Sequence, residues 1–233
     1  MKKLMLLASC VLMQAVFAAD LSGNITFAAD YRTGSAVPQI AKGGKSYRTL
    51  LNGKLTFADG GLLVGNDKCS LRYPVAGNLN PGSGAVEMLV RNVDWELGDN
   101  LMHTFFCASG KSGTFYIYKF KKDGLGGCFA LISDSGRKSY FPRQMVKRLS
   151  GNAARHLVVN YTPESYAFYL DGKLVSEREC EIEFKADGSF FVVGAPGDRS
   201  GRPGDTWIGF IRIYNRPLAG SEVAELAQQA NAK

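Results

Sequence analysis

The segment that decides the fold is Tyr166-Ala167-Phe168-Tyr169-Leu170-Asp171-Gly172-Lys173-Leu174-Val175. Large apolar side chains recur in its first half at every second position, which is the period of a half-buried β-strand. The Asp171-Gly172 dipeptide that follows favours a type I′ turn, because aspartate and glycine both tolerate a positive φ. The segment therefore predicts a tight antiparallel hairpin.

Similar alternation, rich in β-branched and aromatic residues, recurs along the chain on both sides of this hairpin. The predicted strands are Ile25 to Tyr31, Lys54 to Phe57, Ser70 to Tyr73, Ala85 to Arg91, His103 to Ala108, Thr114 to Phe120, Cys128 to Ser133, His156 to Tyr161, Tyr166 to Leu170, Glu181 to Phe184, Phe190 to Val193 and Trp207 to Tyr214. The turn signals between them include Asp59-Gly60-Gly61, Asn80-Pro81-Gly82, Asp123-Gly124 and Asp187-Gly188.

One helix is predicted, over Ser221 to Gln229, with Val223, Leu226 and Ala227 on one face. About a dozen short strands and one terminal helix predict an all-β fold. We expect a two-sheet antiparallel sandwich with the helix after Gly220 packed at its edge. The composition, with 45% hydrophobic and 21% charged residues, is that of a globular protein and excludes disorder and collagen-like repeats.

Three blocks of sequence follow one another in an order that is typical of a known family. They are Gly77 to Pro81 with Gly84 to Val90 and Asp94-Trp95, then Arg155 to Tyr161 with the hairpin, then Ile208 to Leu218 with Glu222-Val223. These blocks resemble the early strands, the W-H-h-V-V-x-x-Y and l-Y-h-D-G-k strands, and the closing R-I-Y-N-R-x-L strand and helix of laminin-G-like, concanavalin A-like domains. The resemblance implies a jelly-roll sandwich of the concanavalin A-like lectin and glucanase type.

Four positions depart from the family's pattern. Gly209 and Phe210 stand where an acidic pair often precedes the closing R-I-Y. Arg155 and Leu89 each stand where the family has Trp. Each change removes a polar or aromatic group that a ligand could contact, so the matching blocks are interpreted as folding elements.

Residues 1–18 are predicted to be a signal peptide. Lys2 and Lys3 precede an apolar run over Leu4 to Val16, and Val16-Phe17-Ala18 places small residues where signal peptidase cleaves. Cleavage after Ala18 leaves residues 19–233 as one domain that is secreted, periplasmic or on the cell surface, with no transmembrane segment. The alternative is a lipoprotein, because Leu7-Ala8-Ser9-Cys10 resembles a lipobox.

Four cysteines remain after cleavage, namely Cys69, Cys107, Cys128 and Cys180. An even number in an oxidising compartment allows two disulfides, and the pairing stays open. The alternative is that these residues are small buried apolar side chains, since Cys107 and Cys128 lie in apolar strings. Because no C-x-x-C motif is present, a zinc site is not expected.

No catalytic residue and no cofactor are predicted. The strand-like run of Glu177, Glu179, Glu181 and Glu183 resembles acidic strands of some glucanases, but it follows the hairpin and no Trp lines it. A solvated outer face, with Cys180 and Ile182 turned inward, explains this run more simply. His103 and His156 lie in apolar strings without a nucleophile elbow or a metal-binding helix motif, so structural histidines are expected.

Calcium binding by the loop that contains Asp198 and Asp205 is left open. Asp198 and Asp205 could supply oxygens to the ion, as rim loops of the family sometimes do. Arg199 and Arg202 lie between them, however, and calcium needs 6 to 8 oxygens. No metal ligand is therefore predicted.

Positive charge is concentrated in the middle of the chain. From Lys119 to Arg148, eight basic residues accompany two acidic ones, a net of +6, while the whole chain carries +7 and loses two lysines with the signal peptide. Ser139-Tyr140-Phe141-Pro142 places aromatic rings among these bases, in a predicted loop of about 15 residues. Arginine can pair with carboxylate or sulfate while an aromatic ring stacks on a sugar. The predicted ligand-binding residues are Arg137, Lys138, Tyr140, Phe141, Arg143, Lys147 and Arg148.

These features favour a secreted glycan-binding module without catalysis, whose partner is an extracellular or cell-envelope glycan, with anionic polysaccharide as the candidate. Nucleic acid is not expected as a partner of an exported protein. The alternatives are a cell-surface structural or protein-interaction module and a polysaccharide hydrolase or lyase. The basic segment can also be a merely solvated surface.

Overall fold

The structure is a computed structural model that describes residues 20–50, 54–65, 68–93, 101–109, 113–122, 125–134, 137–140, 153–179, 188–194 and 205–231. Within these ranges the chain forms β-strands, two short 3-10 helices (Ser22–Asn24 and Tyr31–Thr33) and one α-helix. The elements are β1 (Ile25–Asp30), β2 (Ile40–Ala41), β3 (Arg48–Leu50), β4 (Thr56–Ala58), β5 (Gly61–Val64), β6 (Ser70–Pro74), β7 (Gly84–Asn92), β8 (His103–Ser109), β9 (Gly113–Lys122), β10 (Leu125–Asp134), β11 (Arg137–Tyr140), β12 (Arg155–Tyr161), β13 (Ser165–Leu170), β14 (Lys173–Glu179), β15 (Phe190–Val193), β16 (Thr206–Tyr214) and α1 (Gly220–Asn231).

The strands form two antiparallel sheets, as predicted. The nine-stranded sheet has the order β14-β13-β12-β7-β16-β1-β2, with β5 paired to β16 and β4 paired to β5. The seven-stranded sheet has the order β11-β10-β9-β8-β15-β6-β3. Strands that follow one another in the sequence are often not neighbours in a sheet. Many strand pairs, such as β7 with β16, therefore join remote parts of the chain.

Alternate residues of the strands fill the interior between the two sheets. Val86 and Met88 of β7 belong to this core, while Glu87 between them lies on the opposite face of the strand. The ring of Phe27 on β1 meets Tyr73 and Phe191 of the other sheet edge to face, with centroid distances of 4.8 and 5.0 Å. Such offset aromatic contacts contribute beyond the area they bury.

Two hairpins contain the type I′ turn predicted for Asp171-Gly172. Asp171 and Gly172 have φ of 49° and 79°, and Asp59 and Gly60 have φ of 50° and 65°. Arg155 closes the first of these turns, because its NH1 donates to Asp171 Oδ2 at 2.9 Å. The arginine that replaces the family's tryptophan therefore has a structural role.

Helix α1 agrees with the predicted helix but lies across the outer face of the nine-stranded sheet, not at the sandwich edge. Val223 and Leu226 pack on Ala85, Val158 and Tyr214, which come from β7, β12 and β16. The outward positions under the helix are largely apolar, so covering them is favourable. The edge placement is thereby corrected.

Four strands, β2, β3, β5 and β11, lie in parts of the chain where none was predicted. The first two contain two and three residues, which is too short to show alternation. The third has the sequence Gly-Leu-Leu-Val, an apolar run without a period of two. The predicted strand from Glu181 to Phe184 lies outside the described residues, as do residues 1–18.

Candidate functional site

The predicted binding segment begins as a strand. Arg137–Tyr140 forms β11, which pairs with β10. The loop interpretation is therefore wrong for these four residues, because the open edge of the long β9–β10 hairpin offers backbone hydrogen-bond partners that the alternating segment takes up. The remaining predicted binding residues, Phe141, Arg143, Lys147 and Arg148, lie outside the described residues.

The strand register places Tyr140 at one end of a row that crosses the whole seven-stranded sheet. From β11 to β3 this row consists of Tyr140, Leu131, Tyr116, Cys107, Val192, Arg72 and Arg48. Residues directly opposite each other in an antiparallel sheet share a face. Because Leu71 and Tyr73 on either side of Arg72 lie in the core, the part of the row from Tyr116 to Arg48 belongs to the outer face.

Two arginines lie side by side at the β3 end of this row. Arg48 is exposed and directly opposite Arg72, whose guanidinium lies 5.2 Å from the centroid of the Phe190 ring. In the described part of the chain, the buried Nε of Arg72 has no hydrogen-bond partner, and neither arginine forms an ion pair. Like charges directly opposite each other are unfavourable, and an anion placed between them would relieve the repulsion.

Aromatic and apolar side chains continue the same face toward β11. The rings of Tyr116 and Tyr118 meet edge to face with centroids 6.4 Å apart. Tyr116 is half-buried, while Tyr118 and Val192 are almost completely buried. The outer face of this sheet therefore combines an exposed basic end with a largely buried middle, in which Tyr116 is partly exposed.

The glutamate run contributes no paired carboxylates to a cleft in the described structure. Glu177 and Glu179 are exposed on β14, the edge strand of the nine-stranded sheet. Glu181 and Glu183 lie outside the described residues. The exposure of the first two agrees with the interpretation as a solvated face.

The calcium and disulfide expectations stay predictions. Within the described ranges, no group of three or more His, Cys, Asp or Glu side chains is arranged to hold a metal ion. Asp205 Oδ2 lies 3.9 Å from Lys68 Nζ, and Asp198 lies outside the described residues. Cys69 and Cys107 are buried, as expected of small apolar residues.

A buried charge cluster that the sequence did not predict lies on the outer face of the nine-stranded sheet. Glu87 is 0% exposed and accepts hydrogen bonds from three side chains. His156 Nε2 lies 2.9 Å from its Oε1, Tyr214 OH lies 2.6 Å from its Oε2, and Arg212 NH1 lies 3.0 and 3.2 Å from the two oxygens. Since a carboxylate only accepts, Nε2 of His156 carries the proton, and the histidine is structural as predicted.

The environment of Glu87 keeps it ionised although it is buried. Burial by itself would raise the pKa of Glu87, but the His156 hydrogen bond and the Arg212 charge outweigh it and lower the pKa. Burial and the neighbouring Glu87 charge raise the pKa of Tyr214, which therefore stays a neutral donor. All three donors point to one carboxylate, so the cluster holds the Arg212 side chain in a fixed orientation.

The cluster has only a faint sequence signal. Glu87 interrupts the apolar string of β7, and His156 directly precedes that of β12. A charged residue inside a buried strand needs a partner, but the partner could not be named. Arg212 is opposite Glu87 only because β16 lies beside β7, and strand order is not visible in the sequence.

The two sheets, their strand order and the closing strand–helix unit define a concanavalin A-like sandwich. The laminin G family model described as "Concanavalin A-like lectin/glucanases superfamily" matches residues 65–224. The chain belongs to this superfamily, and the resemblance drawn from the three sequence blocks is confirmed.

Solved structures with the same fold include binding domains of botulinum neurotoxins. The receptor binding domain of botulinum neurotoxin D aligns with a TM-score of 0.71 and 11% identity, over 90% of this chain and 54% of that chain. The binding domain of botulinum neurotoxin DC in complex with SialylT aligns with a TM-score of 0.68 and 11% identity, over 90% and 52%. A structure of botulinum neurotoxin type C, whose cell entry depends on interaction with two ganglioside molecules, aligns with a TM-score of 0.67 and 12% identity, over 91% and 52%.

The chain thus spans about half the length of these neurotoxin domains, and the likeness is one of fold. A comparison with curated protein sequences finds no match. In the described part of the chain, no helix is long and apolar enough to cross a membrane.

Proposed function

We propose that the protein is a secreted glycan-binding module without catalysis, and that it binds anionic polysaccharide on the outer face of the seven-stranded sheet. The observation that carries this proposal is the pair Arg48 and Arg72, which lie side by side without carboxylate partners in the described structure and next to the Phe190 ring. We define these three residues as the basic end of the face.

The chemistry of the basic end suits carboxylate or sulfate groups on a sugar chain. A guanidinium presents several N–H donors in a planar fork that pairs with such groups. Phe190 supports the Arg72 guanidinium from one side, so its donors are held in place before a ligand arrives. An anionic group bound there would also reduce the repulsion between the two arginines.

The length of the face suits a polymer. The cross-strand row runs from Arg48 to Tyr140 over seven strands, which at about 4.8 Å per strand corresponds to roughly 29 Å. Several sugar units fit such a distance, although Cys107 and Val192 in the middle of the row are almost completely buried, so a polymer would not contact the row along its whole length. The predicted binding residues Lys138 and Tyr140 occupy register positions near the far end of this face, so the two basic regions would contact one chain together.

Two further findings support the proposal. The chain belongs to a superfamily of lectins and glucanases. Among structures of the same fold, one botulinum neurotoxin domain is in complex with SialylT, and the type C neurotoxin interacts with gangliosides. Secretion rests on the signal peptide predicted over residues 1–18, which mass spectrometry of the exported protein tests: Ala19 as the first residue is expected, and a lipid on Cys10 would overturn it.

The binding experiment compares polygalacturonate and dextran sulfate with neutral dextran. We expect binding to the two anionic polymers that weakens steeply with salt, because ions screen exposed charges over about 10 Å at 0.1 M. The double variant Arg48→Ala/Arg72→Ala should lose about tenfold in affinity. Tyr140→Ala should weaken binding with little change in the salt dependence, because it removes no charge.

The matched control removes the same charge from the other sheet. Lys173 and Arg178 are exposed on β14, and Lys173→Ala/Arg178→Ala should leave the affinity within about twofold. Equal losses in both double variants would show nonspecific attraction to a basic protein. No binding by the unmodified protein at low salt would overturn the proposal.

A further inference from the structure

A second cleft lies on the opposite side of the molecule, between helix α1, the 3-10 helix Ser22–Asn24 and the outer face of the nine-stranded sheet. Its volume is about 330 Å³, which is within the range of small-molecule sites. Arg212 and Tyr214 form part of its floor, so the cleft borders the buried Glu87 cluster. None of its lining residues belongs to the basic end of the seven-stranded sheet.

The Arg212 guanidinium is held in place on one side and has donors on the other side that a ligand in this cleft could use. Its NH1 is bound to Glu87, and its guanidinium lies 4.4 Å from the centroid of the Phe210 ring. Its side chain is nevertheless 27% exposed, and its NH2 and Nε make no hydrogen bond within the described residues. A guanidinium that is fixed on one edge and open on the other can receive a carboxylate with little loss of side-chain freedom.

The walls of the cleft carry the opposite charge. Asp20 and Glu225 line it together with Glu222. Glu222 is already paired with Arg216 at 2.7 Å, whereas neither Asp20 nor Glu225 takes part in an ion pair within the described residues. Hydrogen bonds from Ser22 lower the pKa of Asp20, so its carboxylate is charged at neutral pH. The cleft is thus an acidic place on a basic protein.

Apolar side chains complete the lining. Leu21 and Ile25 come from the beginning of the described chain, and Leu226 comes from α1. Leu21 and Ile25 pack beside the cluster of apolar residues that holds the helix on the sheet. The cleft therefore offers a cationic floor, anionic walls and an apolar side within one small volume.

We propose that this cleft binds a small zwitterion, an α-amino carboxylate with an apolar side chain. Arg212 receives the carboxylate, Asp20 and Glu225 receive the ammonium group, and Leu21, Ile25 and Leu226 contact the side chain. The ligand is a free amino acid, because an amide bond at either charged group would remove one of the two charges that the cleft receives. This site is independent of the glycan site proposed above, since they lie on different sheets.

The test is titration calorimetry of the purified full chain with L-leucine, 4-methylpentanoate and isopentylamine. The two analogues each lack one of the charged groups. We expect L-leucine to bind with a Kd on the order of 1 mM and each analogue to bind about tenfold or more weakly. Absence of L-leucine binding at about 20 mM, or equal binding of isopentylamine, would overturn the proposal.

Variants separate the site from general charge effects. Glu225→Gln and Asp20→Asn should each weaken L-leucine binding about fivefold or more without lowering the Tm, because both side chains lie on the rim of the cleft. Glu164→Gln is the matched control, since Glu164 is exposed in the turn before β13 and does not line the cleft.

Arg212→Lys keeps a positive charge beside Glu87 but loses the planar fork, and it should abolish binding of L-leucine while the protein stays folded. Unchanged affinity in Glu225→Gln and Asp20→Asn would contradict the assignment. N-acetyl-leucine keeps the carboxylate and the side chain but has a neutral amide in place of the ammonium group, so binding as tight as that of L-leucine would exclude an ammonium site.

Discussion

The arginines on the outer faces of the two sheets differ in their partners. On the nine-stranded sheet, Arg212 is bound to a fully buried carboxylate that also receives His156 and Tyr214. On the seven-stranded sheet, Arg48 and Arg72 lie opposite each other, and within the described residues no carboxylate pairs with them. A buried charge must be paired within the protein, whereas an exposed charge can remain unpaired because water solvates it, and it is then open to a ligand. On the first face the carboxylate is therefore matched within the protein, whereas on the second face the two arginines have no carboxylate partner among the described residues.

The largest expected effect comes from removing the carboxylate of the buried cluster. Glu87→Ala leaves Arg212, His156 and Tyr214 without their common acceptor, and breaking a buried pair in this way costs about 3–5 kcal/mol. We expect a corresponding loss in the free energy of unfolding measured with urea. Glu87→Gln keeps the size and one acceptor oxygen, so it should cost less. A loss below about 1 kcal/mol for Glu87→Ala would show that the cluster does not stabilise the sheet.

A smaller effect is expected at Gly209, which stands where related domains often have an acidic residue. A Cβ at this position would lie 2.5 Å from Trp207 Cη2 and 3.1 Å from Leu89 Cδ2. Because the Trp207 indole packs directly against Gly209, Gly209→Ala should lower the free energy of unfolding by about 1–3 kcal/mol through overpacking. Thermal unfolding checks this, with Gly220→Ala as the control because nothing lies within 4 Å of a Cβ there. Equal Tm values for the two variants would contradict the packing explanation.

The pH dependence of stability should reveal the same buried carboxylate. The pKa of Glu87 in the folded protein is below its usual value of 4.5, so its stabilising contribution is fully present above about pH 4.5. This contribution is lost as the pH falls through the folded-state pKa, because the unfolded chain then binds the proton more strongly. Urea unfolding between about pH 3 and pH 6 should therefore show a weaker pH dependence in Glu87→Gln than in the unmodified protein. Parallel profiles would mean that other carboxyl groups account for the whole acid sensitivity.

The sequence was sufficient for the fold class because its local patterns agree with the two-sheet sandwich. The Asp171-Gly172 turn forms with the predicted positive φ values, and the alternating strands around it pair as expected. The site was harder to predict for a physical reason. Arg48 and Arg72 are separated by 24 positions and become neighbours only through the pairing of β3, a three-residue strand with no periodic signal. The basic segment was predicted as the site because of its charge density, although its first residues, from Arg137, form a paired strand.

The smallest expected effect is at Arg48. Removing its charge should raise stability, whereas removing the Glu87 charge on the other sheet should lower it. Like charges directly opposite each other destabilise a strand pair by a fraction of a kcal/mol, so Arg48→Gln should raise the free energy of unfolding by about 0.2–0.5 kcal/mol at low salt. The gain should fade as salt screens the repulsion between Arg48 and Arg72. Arg178→Gln on β14 is the control, since Arg178 is opposite Tyr166 and not opposite another cation. Stability of both variants is measured by urea unfolding at about 10 mM and about 500 mM salt, where the Debye length differs severalfold. If Arg48→Gln lowers stability, and does so equally at both salt concentrations, the arginine holds the sheet together and is not a charge left open for a ligand.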